Sequence, residues 1–305
     1  MPLPVTIIIP SWNSEHCIET CLNQALAQDV ESIRVIDNGS RDNTVGIIQR
    51  AFPTVEVTRW PKNRGFAAAM NHGIAQSDTP FVFLLNDDCE LQPHYVSTLV
   101  QALQKTRTAA SATGKLLAPD SSPTLDSVGI RLDRYALRPL DEGHGQPDRG
   151  QFDSNRSIFG PSGAATLFRK RALDSLNALP FDESLVSYYE DVDLAWRLTN
   201  AGWEHLYCYR ATGHHLRRGP HAKPAAIKAR AFSNRYIVWA KNESLGSFIT
   251  YGPVALTWEA LRIGRRLLTS PEELAEVPAA LTRSVQIIKA RLRGGKSPES
   301  PIVSP

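Results

Sequence analysis

The chain has 305 residues, enough for one large α/β domain with appendages or for two small domains. Its 42% hydrophobic content excludes general disorder, and a net charge of +3 gives no reason to expect nucleic acid as a partner. Four cysteines (Cys17, Cys21, Cys89 and Cys208) make no disulfide framework at this length, and no second pair joins Cys17 and Cys21 in a zinc site. Buried or partly exposed thiols in a reducing cytoplasm are expected. No basic stretch precedes the first apolar run, so no signal peptide is expected. No apolar run reaches the roughly 20 residues of a membrane span, so the expectation is a soluble or surface-attached protein.

Short β-rich runs alternate with helical patterns over the first hundred residues. The strands are expected at 5–9, 33–36, 55–58 and 81–85, and the helices at 14–27, 44–51, 66–75 and 93–104. Such alternation predicts βαβ units and a mostly parallel, Rossmann-like sheet flanked by helices. Ligands bind such sheets beyond the carboxyl ends of the strands. The polar loops 10–13, 37–43 and 86–88 all follow strands, so they converge on one rim. Residues 116–157 break into Pro, Gly and charged residues, a long excursion beside the site that is expected to be ordered in part at best. Order returns with FGPSGAATLFRKRAL, a strand entering a helix, and a helix is expected over 224–241 with Phe232, Tyr236 and Trp239. Residues 253–268 are amphipathic: Val254, Leu256, Trp258, Leu261, Ile263, Leu267 and Leu268 cover a broad side, close to Arg262, Arg265 and Arg266. A further helix is expected over 271–292, and the tail KSPESPIVSP reads as disordered. The organisation expected is a catalytic unit over 1–242, a helical extension over 243–293 and a loose tail over 294–305.

The chemistry concentrates in residues 189–215, YEDVDLAWRLTNAGWEHLYCYRATGHH. Glu190, Asp191 and Asp193 crowd the first turn of an amphipathic helix, and a His pair sits just after the following strand. Three acids so close repel one another; a helix N-terminus offsets part of that repulsion and keeps them ionised. Ionised carboxylates facing a cleft suit a general base or a metal site. A second acidic cluster, LLNDDCE at 84–90, ends an apolar strand. Two acidic loops, one His pair and one sheet edge point to metal-assisted chemistry on a phosphorylated substrate.

In order and spacing, VTIIIPSWN, VIDNGSRDNT, NRGFAAAMNHGI, LLNDDCE, GPSGAATLFRKRAL and FDESLVSYYEDVDLAWRLTNAGW resemble family 2 glycosyltransferases of the GT-A fold, rhamnosyltransferase-like bacterial members above all. The resemblance runs from residue 5 to about 242. It implies an inverting, Mg2+- or Mn2+-dependent transfer from a nucleotide-sugar donor, dTDP-rhamnose in the rhamnosyl members. The acceptor would be a cell-envelope glycan, free or polyprenyl-linked. It makes Asp88 the first metal ligand, with Asp87 or Asn86 on the ribose or a metal-bound water. Asn86 departs from the family's Asp-x-Asp pattern and removes one charge. His215 would complete the metal site, with His214 the alternative. Asp37 would accept a hydrogen bond from a pyrimidine N3–H, and Pro10, Trp12 and Asn13 would shape the nucleobase pocket. Arg64 and Gly65 would meet nucleotide or phosphate, and Gly163 and Trp196 would lie on the acceptor side. Asp191 is the implied base, with Glu190 orienting the acceptor or bracing the loop; Asp193 caps the helix or pairs with Arg197 at i+4.

A sugar-nucleotide pyrophosphorylase would need a Gly-rich basic phosphate loop that PSWNSEH does not supply. A non-catalytic nucleotide-sugar-binding subunit of a glycan assembly is the other reading, and it has no use for a base. Three uses stay open for the amphipathic C-terminal segment: an anionic membrane surface, its own domain, or a second copy in a homodimer.

Overall fold

Apolar runs bounded by polar loops become the strands of one central sheet. In the computed structural model, residues 1–119, 123–186, 188–217 and 225–293 are described. β1 (Leu3–Ser11) buries Val5, Ile7, Ile8 and Ile9 completely, as a strand covered on both faces must. There follow α1 (Ile18–Leu26), β2 (Val30–Asp37), α2 (Thr44–Ala51), β3 (Glu56–Arg59), α3 (Phe66–Ala75) and β4 (Phe81–Leu85). β1 pairs in parallel with β2 and β4, and β2 with β3, as the alternation predicts. α1 starts at Ile18 and not near residue 14, because Ser14 belongs to the rim: its N–H donates to Thr44 Oγ1 at 2.7 Å.

The second half runs β5 (Cys89–Leu91), α4 (Tyr95–Lys105), β6 (Ala109–Leu117), β7 (Leu125–Ser127), β8 (Ile130–Asp133), β9 (Arg138–Asp141) and β10 (Arg156–Ile158). Then come β11 (Ala165–Arg169), α5 (Lys170–Asp174), α6 (Glu190–Asn200), β12 (Glu204–His215), α7 (Ala225–Asn242), α8 (Leu245–Thr269) and α9 (Val277–Leu292). The sheet order is β10-β12-β6-β11-β4-β1-β2-β3, with β5 added to β12 and β7 to β6. β11 runs antiparallel between β4 and β6, so the sheet is mixed beyond its parallel half. Alternate side chains feed two apolar layers. Ile7, Ile9, Phe83 and Leu85 face α1, α2 and α4, while Ile8, Val82 and Leu84 face α3, α5 and α6.

Two expectations are corrected. The excursion 116–157 carries short paired strands joined by turns: β7 pairs with β6, β8 with β9, and β10 with β12. Buried Leu125 and Val128 anchor it on Tyr207. Its strands are only three or four residues long, too short for a period to show. The amphipathic helix begins at Leu245, eight residues before the expected start: the Ser244 hydroxyl accepts from Ser247 N–H at 2.9 Å and caps it, and exposed Pro253 is carried inside. Tyr251 and Ala255 of α8, and Val277, Ala280 and Ile287 of α9, pack with α7 and Trp196 in a third apolar cluster. The expected tail 294–305 and the start of the 224–241 helix lie outside the described residues.

Candidate active site

The loops after β1, β2 and β4 are tied together by their own side chains. The Ser14 hydroxyl donates to Asp87, joining the first loop to the acidic one. Asn13 N–H donates to Ser40 Oγ and its Oδ1 accepts from Arg41 N–H, both at 2.9 Å, joining the first loop to the second. Pro10 lies level with Ile36 at the end of the β1–β2 ladder, and Trp12 beyond it is half-exposed. Asp37 ends β2 wholly buried; its Oδ1 accepts from Ser40 N–H at 3.2 Å. Asp37 Oδ2 has no hydrogen-bond donor among the described residues, with Arg59 Nε 3.7 Å away. A buried carboxylate oxygen without a donor is costly, and it suits a donor supplied by a ligand. A depression lined by Gly39, Ser40, Arg41, Arg59, Trp60 and Pro61 opens beside it. Arg64 is exposed, its guanidinium 4.5 Å over the Trp60 ring. Gly65 has φ +89°, and a Cβ there would come 2.9 Å from Val186 O, so the turn requires glycine.

At the end of β4 the acidic loop meets β12. His215 Nε2 lies 3.4 Å from Asp88 Oδ1, while Nδ1 is 2.9 Å from Asp126 Oδ2 on β7. Asp126 also accepts from Arg217 Nε at 2.5 Å. Burial alone would lower the His215 pKa; the hydrogen bonds to Asp126 and Asp88 outweigh it and raise it to about 9. The Cys89 thiol completes a group of possible metal donors whose atoms lie within 4.8 Å of one another. Burial, with the charge of Asp88 adding to it, pushes that thiol well above its usual range, and Sγ donates to Ala164 O at 3.5 Å. Cys89 therefore stays a thiol, and Asp88 and His215 are the pair suited to a divalent cation. The His pair, expected just after the strand, forms its last two residues. Adjacent strand residues point to opposite faces, and His215 is the one that meets Asp88.

On the other side, α6 opens with the acids. Asp191 Oδ1 accepts from Val192 N–H at 2.8 Å, and Oδ2 from Gly163 N–H at 3.1 Å. Burial raises the Asp191 pKa to about 6, against the pull of the Gly163 N–H. Burial raises Glu190 further, with the Asp191 charge adding to it, and Glu190 Oε2 has no hydrogen-bond partner among the described residues. Asp193 is structural: fully buried, it binds Arg197 Nε at 2.7 Å, Lys241 Nζ at 2.8 Å and Asn242 Nδ2 at 2.9 Å. Gly163 lies directly against Asp191: a Cβ there would make ordinary van der Waals contact with the Asp191 Cβ, at 3.4 Å.

The two acidic centres meet across two adjacent residues. Gly163 N–H holds Asp191, and the next carbonyl, Ala164 O, accepts from Asn86 N–H at 2.8 Å and from Cys89 Sγ. Arg217 links them again: it binds Asp126 and, at 2.8 Å, Asp141, whose charge helps raise Asp191.

Trp196 is corrected. It is 3% exposed and meets Trp239 and Phe159 edge-on, at 4.9 and 5.7 Å between centroids, so its ring presents no face to an acceptor. It lies four residues after buried Val192 on α6, the spacing of a core face. Trp196→Ala is expected to cost about 3–5 kcal/mol of stability. Thermal unfolding should show that loss, and the KM for acceptor should stay unchanged in the fraction that folds.

Sequence reasoning missed Asp126, Arg217 and Cys89. Cys89 adjoins the acidic triplet and was open to notice. Asp126 and Arg217 carry no motif: the register of β7 and β12 on β6 brings Asp126 to His215, and Arg217 follows His215 by two residues in the chain.

The family described as "Glycosyl transferase family 2" matches residues 6–176. The N-acetylglucosaminyl-diphospho-decaprenol L-rhamnosyltransferase of Mycobacterium tuberculosis is 27% identical over 234 residues, covering 70% of this chain and 76% of that protein. S. aureus TarS residues 1–349 in complex with UDP-GlcNAc superposes with a TM-score of 0.63 at 15% identity, covering 96% of this chain and 83% of that one. GalNAc-T7 with UDP, GalNAc and Mn2+ gives a TM-score of 0.62 at 12% identity, over 96% and 59% of the two chains. The ordered rim of acidic loops, the sheet that carries it and the family match agree: the chain belongs to glycosyl transferase family 2 and is a glycosyltransferase of GT-A fold.

Proposed function

We propose that this glycosyltransferase is an inverting enzyme that depends on Mg2+ or Mn2+. It moves a sugar from a nucleoside-diphosphate donor, dTDP-rhamnose, to a lipid-linked cell-envelope glycan on the cytoplasmic side. The observation that carries the reading is that Gly163 N–H holds Asp191 while the next carbonyl, Ala164 O, accepts from Asn86 N–H and Cys89 Sγ, which flank Asp88 of the Asp88–His215 pair. Inverting transfer needs one centre for the departing diphosphate and, opposite it, one for the incoming hydroxyl. Asp88 and His215 would hold the cation, which would offset the charge that develops on the diphosphate. The Mn2+ and UDP in the GalNAc-T7 structure support a divalent cation beside a nucleotide donor. Asp37 Oδ2 would accept the N3–H of thymine or uracil, beside Pro10, Trp12 and Asn13. Asn86 and Asp87 would face the ribose, and Arg64 and Gly65 the phosphates.

The acceptor oxygen forms its bond to the anomeric carbon as the bond from that carbon to the diphosphate breaks, and the electron pair leaves with the diphosphate. The hydroxyl proton passes to Asp191. A carboxylate suffices for this when the proton leaves late, after attack has acidified the hydroxyl. Gly163 gives substrate close approach to Asp191, and Glu190, carrying its proton, braces the loop or orients the acceptor. The diphospho-decaprenol acceptor in the name of the mycobacterial relative supports a lipid-linked acceptor and a rhamnosyl donor.

The test is calorimetric titration with dTDP, UDP and GDP, with and without Mn2+, followed by a screen for slow donor hydrolysis without acceptor. Tight, Mn2+-dependent binding of dTDP and hydrolysis of dTDP-rhamnose are expected. Asp37→Ala should weaken dTDP by about tenfold, the worth of one hydrogen bond to a charged group. Preference for GDP, or binding indifferent to metal, overturns the assignment.

A further inference from the structure

One side of α8 packs on the body of the protein and the other is bare apolar surface. Tyr251, Ala255 and Glu259 face inward. At 100° per residue, Ile249, Leu256 and Leu267 form one exposed flank, and Trp258, Leu261 and Leu268 the other. Ile249 is 77% and Leu268 88% exposed, so no element among the described residues covers them. No helix among the described residues is long and apolar enough to cross a membrane.

The charges say what covers this face. Glu259, the sole acid of α8, is turned inward and held by Arg235, Tyr236 and Arg262. The exposed side carries no acid, and exposed Arg265 sits one turn from both Leu261 and Leu268. A second copy would have to meet this face with the same face, because a two-fold contact is self-complementary. That would set arginine against arginine with no acid on either side. An apolar strip with a tryptophan, an arginine and no carboxylate matches the interface of an anionic bilayer, where side chains insert and guanidinium meets phosphate.

We propose that the exposed face of α8 seats the protein on an anionic lipid surface. The surface adjoins the catalytic rim through one hairpin. Arg262 Nη2 donates to Ala136 O at 3.0 Å and the Tyr251 ring meets Tyr135 at 6.3 Å, both in the turn between β8 and β9. The other end of that hairpin places Asp141 on Arg217, two residues from His215. The inference rests on the face itself and stands whatever the acceptor is.

The test is co-sedimentation of the full chain with vesicles of phosphatidylcholine alone and of phosphatidylcholine mixed with phosphatidylglycerol. Binding to the mixed vesicles and little to the neutral ones is expected. Leu261→Gln with Leu268→Gln should weaken vesicle binding at least ~10-fold, since two exposed leucines no longer insert. Arg265→Glu should weaken it about 5-fold or more. All three positions are exposed, so thermal unfolding and calorimetric binding of dTDP with Mn2+ should match the parent. Absence of binding, equal binding to both vesicles, or variants that bind like the parent would overturn the proposal. So would a stable dimer in solution that the paired leucine substitutions dissociate.

Discussion

Asp191→Asn is expected to lower transfer by ~10²–10⁴-fold and to leave the affinity for nucleotide-sugar and Mn2+ unchanged. The amide keeps the shape of the carboxylate, and its oxygen can still accept from Gly163 N–H, which holds Asp191 Oδ2 at 3.1 Å in the parent. The substitution takes away the place for the acceptor proton and leaves the loop that presents it. The pH profile of the parent tests the same point. Burial holds the Asp191 carboxyl up at about 6, so below that pH it carries a proton and accepts none. Above it the carboxylate is free, so kcat/KM should rise with pH through about 6 and the Asn variant should lose that limb. Burial raises Glu190 as well, with the Asp191 charge adding to it, so the two carboxyls titrate as a pair and the limb belongs to both of them until the Asn variant separates their parts. Stopped-flow or endpoint release of the nucleoside diphosphate measures all of this. A variant that still transfers sugar at the parent rate removes Asp191 from the role of base. A parent that binds donor and never turns it over returns the protein to the class of binding subunits.

The parts of this site that were legible in the sequence share one property: they sit where a regular element stops. Asp37, Asn86, Asp87 and Asp88 follow buried strands, and Glu190 and Asp191 open a helix, so strand ends and a helix start locate them with no knowledge of the tertiary fold. Asp126 has no such marker. It lies in a three-residue strand within a stretch whose Pro, Gly and charged residues show no apolar period, and its partner His215 is 89 residues away. Trp196 shows the opposite failure. The family resemblance placed it on the acceptor side, and the structure packs it against Trp239 and Phe159, on the same face of α6 as buried Val192. In α8 the apolar residues were visible in the sequence. Which of them face inward depended on α7 and on the Glu259 network.

Asp88→Ala and Asp126→Ala should differ in degree, and the order of the two is the point of the comparison. Asp88 would touch the cation, so its loss should lower Mn2+ affinity and transfer by more than ~10²-fold. Asp126 acts through His215: its carboxylate takes the Nδ1 hydrogen, which turns Nε2 toward Asp88, 3.4 Å away. Without it the ring has two tautomers to choose from and Arg217 loses one of its two carboxylates, so a loss of ~10–100-fold in Mn2+ affinity is expected. Asp126→Asn should recover most of that, because the amide oxygen still accepts from Nδ1. Protonation sets the direction with pH. The two carboxylates hold His215 up at about 9, and a protonated Nε2 has no lone pair for a metal, so Mn2+ affinity should climb as pH rises toward 9. Titration of Mn2+ by electron paramagnetic resonance in the presence of dTDP reads every variant directly, with thermal unfolding as the check on folding. If Asp126→Ala binds Mn2+ as tightly as the parent, the hydrogen bond to His215 has no part in holding the cation. If Asp88→Ala does so, the cation lies elsewhere and the diphosphate leaves by other means.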